Sequence, residues 1–131
     1  VDSNLLVRYL TGTPPEMAER AAQLIDTDEP LLLSELVLVE TAYVLSSFYG
    51  MERADITEAL MDLVQRQNFR PLNLPKPLLL EALGLCRGSK RYSFTDAFLW
   101  AQAIHAGARI YSFDRRFPSG GVEIIGLTPV E

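Results

Sequence analysis

The chain has 131 residues, enough for one compact domain and too few for two. Hydrophobic residues make up 48% and charged residues 22%, an ordinary globular balance that excludes wholesale disorder. The formal net charge of -5 argues against a protein that grips nucleic acid through bulk positive charge. Val1-Asp2 reads as the last step of a strand cut short. Residues 4–10 then read as a short helix ended by Gly12. Thr13-Pro14-Pro15-Glu16 is a helix start: Thr13 is a capping residue, Pro14 suits the first turn, and Glu16 completes a capping box. That helix runs to about Asp26. Residues 30–33 form a short apolar strand. Ser34 caps a long helix that reaches Tyr49 and stops at Gly50. Asp55-Ile56-Thr57-Glu58 opens the next helix, which runs to about Gln67. Residues 69–74 form a strand weakened by Pro71. Pro75-Lys76-Pro77 turns the chain into a Leu-rich helix ending near Arg87. After a loop at 88–92, Ser93-Phe94-Thr95-Asp96 starts a helix that ends at Gly107. Residues 109–113 form an aromatic and β-branched strand, and residues 122–125 a last short one.

Strands therefore alternate with helices. They are short, apolar and not alternating in polarity, as expected when both faces of a sheet are covered. The pattern predicts one domain with a three-layer α/β fold and a mainly parallel sheet. No repeat or low-complexity tract interrupts it. The longest apolar runs, such as residues 36–39 and 97–101, fall far short of the ~20 residues that a membrane span needs. A single cysteine, Cys86, excludes an intrachain disulfide and a Cys-based zinc cluster, and fits a reducing compartment such as cytoplasm.

The charge is uneven. Residues 1–86 hold six basic groups against thirteen acidic ones. Residues 87–116 reverse the sign, with Arg87, Lys90, Arg91, Arg109, Arg115 and Arg116 against Asp96 and Asp114. A set of solvated surface cations explains this segment; so does a rim that attracts phosphates locally.

Four carboxylates occupy unusual places. In an α/β fold, ligands bind beyond the carboxyl ends of the strands. Asp2 ends the first strand, Asp114 ends the strand at 109–113, and Asp96 lies in the first turn of a helix. Each also has a plain structural explanation, as a turn or helix cap. Glu40 stands on a helix whose same-face neighbours are Leu36, Val37, Tyr43 and Val44. Leu38, Val39, Ala42 and Leu45 make that helix apolar nearly all round, so it is expected to be buried. A buried carboxylate must stay neutral, pair, or bind a cation. If the four acids converge, a divalent cation offsets their repulsion. Oxygen ligands without Cys or paired His favour Mg²⁺ or Mn²⁺ over Zn²⁺. An acidic centre with a basic rim specifies a metal-dependent phosphodiesterase.

At these residues the chain resembles a known family. Val1-Asp2-Ser3-Asn4-Leu5-Leu6-Val7-Arg8-Tyr9-Leu10 resembles the opening motif of PIN-domain ribonucleases, in particular the VapC-like toxins of toxin–antitoxin pairs. Val39-Glu40-Thr41-Ala42-Tyr43-Val44-Leu45 resembles the second acidic motif, Phe94-Thr95-Asp96-Ala97 the third, and Ser112-Phe113-Asp114-Arg115-Arg116-Phe117 the fourth. The likeness spans essentially the whole chain, in the family's order. It implies a single PIN-like α/β/α domain over residues 1–131 with a short, mainly parallel central sheet. The family carries several apolar residues before the first Asp, where this chain has only Val1, so the first strand is expected to be truncated.

The resemblance also implies a Mg²⁺- or Mn²⁺-dependent endoribonuclease of the cytoplasm. Asp2, Glu40, Asp96 and Asp114 become the catalytic, metal-holding acids, and Asn4, Thr95 and Ser112 the polar groups that orient them. Lys90, Arg91, Arg115 and Arg116 form the rim toward RNA. A homodimer and an inhibiting antitoxin, whose C-terminal segment wraps the toxin, complete the implied set of partners. Two other readings compete: a catalytically silent PIN-like module that binds RNA or protein, and a haloacid-dehalogenase-like phosphatase. The latter wants a second Asp where this chain has Asn4. His105 lies near a helix C-terminus without a partner His or Cys. Cys86 and Phe98 read as packing, and Trp100 as packing or a dimer face. Gly120-Gly121 lacks the surrounding pattern of a phosphate cradle.

Overall fold

The computed structural model describes residues 1–88, 90–114, 117–118 and 120–126. The first helix, α1 (Ser3–Thr11), starts at Asp2, whose carboxylate accepts the Leu5 N–H at 3.0 Å. It stops at Gly12, which takes the left-handed conformation (φ 72°) and returns its N–H to the Arg8 carbonyl at 2.9 Å. The chain then enters α2 (Pro15–Ile25). Here the expected capping box does not form. Pro14 takes the cap position and supplies no side-chain bond, so Thr13 falls outside the helix. Its hydroxyl lies instead 3.3 Å from that of Thr11.

Next come β1 (Leu31–Leu33), α3 (Glu35–Ser47), α4 (Arg53–Gln65), β2 (Phe69–Pro71), α5 (Lys76–Arg87), α6 (Phe94–Ala106), β3 (Ile110–Ser112) and β4 (Ile124–Gly126). Ser34 and Ser93 cap α3 and α6 through their hydroxyls, as their sequence positions predict. Helix α4 begins at Arg53, earlier than expected, which leaves Asp55 in its first turn, favourably placed against the helix dipole. Gly107, at φ 63°, ends α6 and feeds β3.

Both described strand pairings are parallel. Leu31 pairs with Phe69 in β1–β2, and Ile110 with Ile124 in β3–β4. Among the described residues the strands hold together as these two pairs. Val1 and Asp2 are not a strand, but they run extended beside β1. The Val1 nitrogen donates to the Leu32 carbonyl at 2.9 Å. This contact ties the entry of α1, and with it Asp2, to the sheet.

One core joins the elements. Leu6, Ile25, Leu33, Leu38, Leu45, Leu60, Phe69, Leu79 and Leu83 are all essentially inaccessible. Burying each such side chain contributes roughly 1.5–3 kcal/mol. Helix α5 packs between α4 and α6, and α1 packs on α2 and α3. Trp100 belongs to this packed interior. It is 7% exposed and donates its indole N–H to the Gly120 carbonyl at 2.8 Å, so it does not present a dimer face. Cys86 is fully buried, and its thiol is pushed up to about 11, chiefly by burial and against the opposing charge of Arg53. It is an interior residue with little thiolate character at neutral pH.

Candidate active site

Each acid singled out in the sequence has a definite place. Asp2 is exposed at the N-terminus of α1. Asp96 is half-buried in the first turn of α6, where its N–H is accepted by the Ser93 hydroxyl at 3.0 Å. Asp114 is exposed just beyond β3, with its N–H donated to the Ser112 hydroxyl at 2.9 Å. Ser112 thus fixes the backbone at Asp114, and this contact does not involve the Asp114 carboxylate. Asn4 and Thr95 are exposed, one on α1 and one on α6.

Glu40 departs from expectation. It is exposed rather than buried. Helix α3 turns Leu38, Thr41, Ala42 and Leu45 into the core. Its other side is open: Leu36 is 74% exposed and Tyr43 49%. An all-apolar helix is thus covered on one side only, and Glu40 lies on the uncovered side.

The buried carboxylate of α3 is Glu35, 4% exposed, which sequence reasoning missed. Its Oε1 accepts the side-chain amides of Asn73 at 3.2 Å and Gln102 at 3.4 Å. Its Oε2 is buried without a hydrogen-bond partner among the described residues. An acid directly after an N-cap is ordinary helix chemistry. Nothing local in the sequence marks Glu35 as buried.

Two cavities take up Glu40 and Asp2, and neither is lined by Asp96 or Asp114. A groove of about 400 Å³ between α3 and α6 is lined by Glu35, Glu40, Thr95 and Gln102 together with Leu36, Val39, Tyr43, Phe98 and Leu99. A second cavity of about 340 Å³ lies between α1 and α2. Asp2, Asn4, Leu5 and Arg8 line it from one side and Met17, Arg20 and Ala21 from the other. The structure therefore brings Glu40 beside Thr95, the neighbour of Asp96, but places Asp2 on a different cavity. The expected convergence of all four acids on one hollow is not seen. Among the described residues no three His, Cys, Asp or Glu side chains gather closely enough to hold a metal ion. The physical reason is local. Asp2 turns one oxygen back to cap its own helix, and Glu40 follows the open side of α3. By donor type, carboxylates with Asn, Thr and Ser oxygens suit a hard divalent cation such as Mg²⁺ or Mn²⁺.

The cap contact of Asp2 makes a separable prediction. Asp2→Ala should lower stability by about 1 kcal/mol, whereas Asp2→Asn, which keeps a capping oxygen, should be nearly neutral. Urea unfolding of the three proteins checks this. Equal losses in both variants would mean that the negative charge, not the cap, stabilises α1.

Of the basic rim, Lys90 and Arg91 are exposed, and the Arg91 guanidinium lies over the Tyr92 ring, 5.3 Å from its centroid. Arg115 and Arg116 lie outside the described residues. His105 is exposed in the last turn of α6, where a cation complements the helix dipole.

Among the described residues, six helices with short parallel strands form an α/β domain. The model of the PIN domain family matches residues 1–121, and the chain belongs to that family. Among curated proteins it is similar to a VapC ribonuclease of Aquifex aeolicus (strain VF5). The two are 30% identical over an alignment that covers 95% of this chain and 93% of that protein.

Proposed function

We propose that this chain is the toxin of a toxin–antitoxin pair, an endoribonuclease that hydrolyses RNA phosphodiester bonds with Mg²⁺ or Mn²⁺. One observation carries the reading. A PIN-family match over residues 1–121 coincides with an acid at each of the four motif positions, Asp2, Glu40, Asp96 and Asp114. The similarity to a VapC ribonuclease along nearly the full length of both chains supports it. In this reading the ion depends on the acids at those four positions, with Asn4, Thr95 and Ser112 as their polar neighbours, although among the described residues no three of the acids gather at one point. When bound, the ion supplies polarisation of a phosphoryl oxygen and a water of lowered pKa. The carboxylates position the attacking water, and Lys90, Arg91, Arg115 and Arg116 hold the flanking phosphates. Residues 1–131 act as one PIN domain in the cytoplasm.

Two partners belong to this proposal. A cognate antitoxin covers the toxin, and a second copy forms a homodimer. The open side of α3, with Leu36 74% exposed and Tyr43 49% exposed, is the kind of surface that such partners bury. No described helix is long and apolar enough to cross a membrane.

The test is cleavage of total cellular RNA by the purified protein with Mg²⁺ or Mn²⁺, with EDTA, and with metal restored. Cleavage that stops in EDTA and returns with metal is expected. Undiminished cleavage in EDTA would overturn the metal dependence, and intact RNA under all conditions would overturn the nuclease in favour of a silent binding module.

A further inference from the structure

We infer that the cavity between α1 and α2 is a nucleotide subsite, in which Arg8 and Arg20 hold a backbone phosphate of single-stranded RNA beside Asp2. This rests on the ribonuclease reading above and assigns it an entry side for the strand.

The electrostatics of the cavity are the first argument. The chain as a whole carries a net charge of -5, yet this cavity is lined by two guanidinium groups and one carboxylate. Neither arginine makes an ion pair among the described residues. Arg8 is half-buried and directs Nη1 to two uncharged oxygens, the Thr13 carbonyl at 3.3 Å and the Tyr49 hydroxyl at 3.4 Å. Its Nε is buried with no partner among the described residues. A cation withdrawn from water without a counter-charge is costly, and a bound anion relieves that cost. Arg20 is exposed and makes no hydrogen bond or ion pair among the described residues, although Glu16 lies one turn before it on α2. The one carboxylate in the cavity, Asp2, already spends an oxygen on the Leu5 N–H.

The shape is the second argument. A volume of about 340 Å³ is within the range of small-ligand sites. Its apolar floor includes Leu5 and the half-exposed Met17, a surface on which a base can rest. Asn4 offers an amide that both donates and accepts, suited to a base edge or a ribose 2′-hydroxyl. Guanidinium forks suit phosphate oxygens better than any other side chain. The groove between α3 and α6 is lined by Glu35 and Glu40 and by no Arg or Lys. The strand therefore approaches Asp2 over α1 and α2.

The experiment measures binding of a single-stranded RNA by fluorescence anisotropy over a series of salt concentrations. It uses the Asp96→Asn protein so that the RNA stays intact, with Arg20→Ala or Arg70→Ala added. Arg70 is exposed on β2 and does not line the cavity, so it controls for the loss of one positive charge. Arg20→Ala is expected to weaken binding by about tenfold. It should also lower the magnitude of the salt slope by about 0.7, one phosphate contact on a single strand. Arg70→Ala should change neither, and in otherwise native protein Arg20→Ala should raise KM for RNA cleavage while kcat holds. Equal binding and equal slopes for the Arg20 and Arg70 variants would overturn the subsite, as would no RNA binding by the parent. RNA binding that depends on Arg20 in a protein that never cleaves RNA would keep the subsite and sink the nuclease reading.

Discussion

Asp96→Asn is expected to lower RNA cleavage by at least about 10²-fold, because the ion that polarises the phosphoryl oxygen loses a charged oxygen donor. The substitution is nearly isosteric, and the structure says why it spares the fold. Helix α6 is capped by the Ser93 hydroxyl, which accepts the backbone N–H of residue 96, and that contact does not involve the Asp96 carboxylate. The helix loses only the favourable pairing of a negative charge with its N-terminus, about 0.3–1 kcal/mol. Near-native unfolding with abolished cleavage is the expected combination. A rate within about threefold of the parent, in an assay sensitive to a tenfold loss, would remove Asp96 from the catalytic set.

Phe69→Ala is expected to cost about 3–5 kcal/mol, a large fraction of the 5–15 kcal/mol that stabilises a typical domain. Phe69 has no accessible surface and is among the largest fully buried side chains. It also opens β2 in register with Leu31 of β1, so a hollow there loosens the strand whose Leu32 carbonyl accepts from the Val1 nitrogen. Packing at Phe69 is thereby linked to the placement of Asp2, one residue beyond Val1. Urea denaturation measures the loss as a fall in midpoint. A change below about 1 kcal/mol would mean that the core collapses around the missing ring, against the close packing described here.

The elements that sequence reasoning placed well are those with a chemical stop or start. Gly12 and Gly107 adopt the left-handed conformation that ends a helix, and Ser34 and Ser93 cap as their hydroxyls allow. Thr13 had the right chemistry for a cap but the wrong register, because the helix begins at Pro15. The burial of α3 was not legible for a different reason. A helix apolar on all sides carries no periodic signal of which side the rest of the fold covers. Glu40 was therefore expected inside and is outside. Glu35 passed unnoticed because its amide partners, Asn73 and Gln102, stand 38 and 67 residues away. The acids at motif positions were readable as chemistry. Their spatial grouping was not, since it depends on how α1, α3, α6 and the end of β3 pack in three dimensions.

The proposed activity requires a divalent ion that depends on Asp2 and Asp96, although among the described residues no three acids gather at one point. Calorimetric titration of the purified protein with Mn²⁺ tests it most directly. Saturable binding that Asp96→Asn and Asp2→Asn each weaken by at least about tenfold is the predicted result. No detectable binding at millimolar Mn²⁺, or binding indifferent to both substitutions, would contradict it.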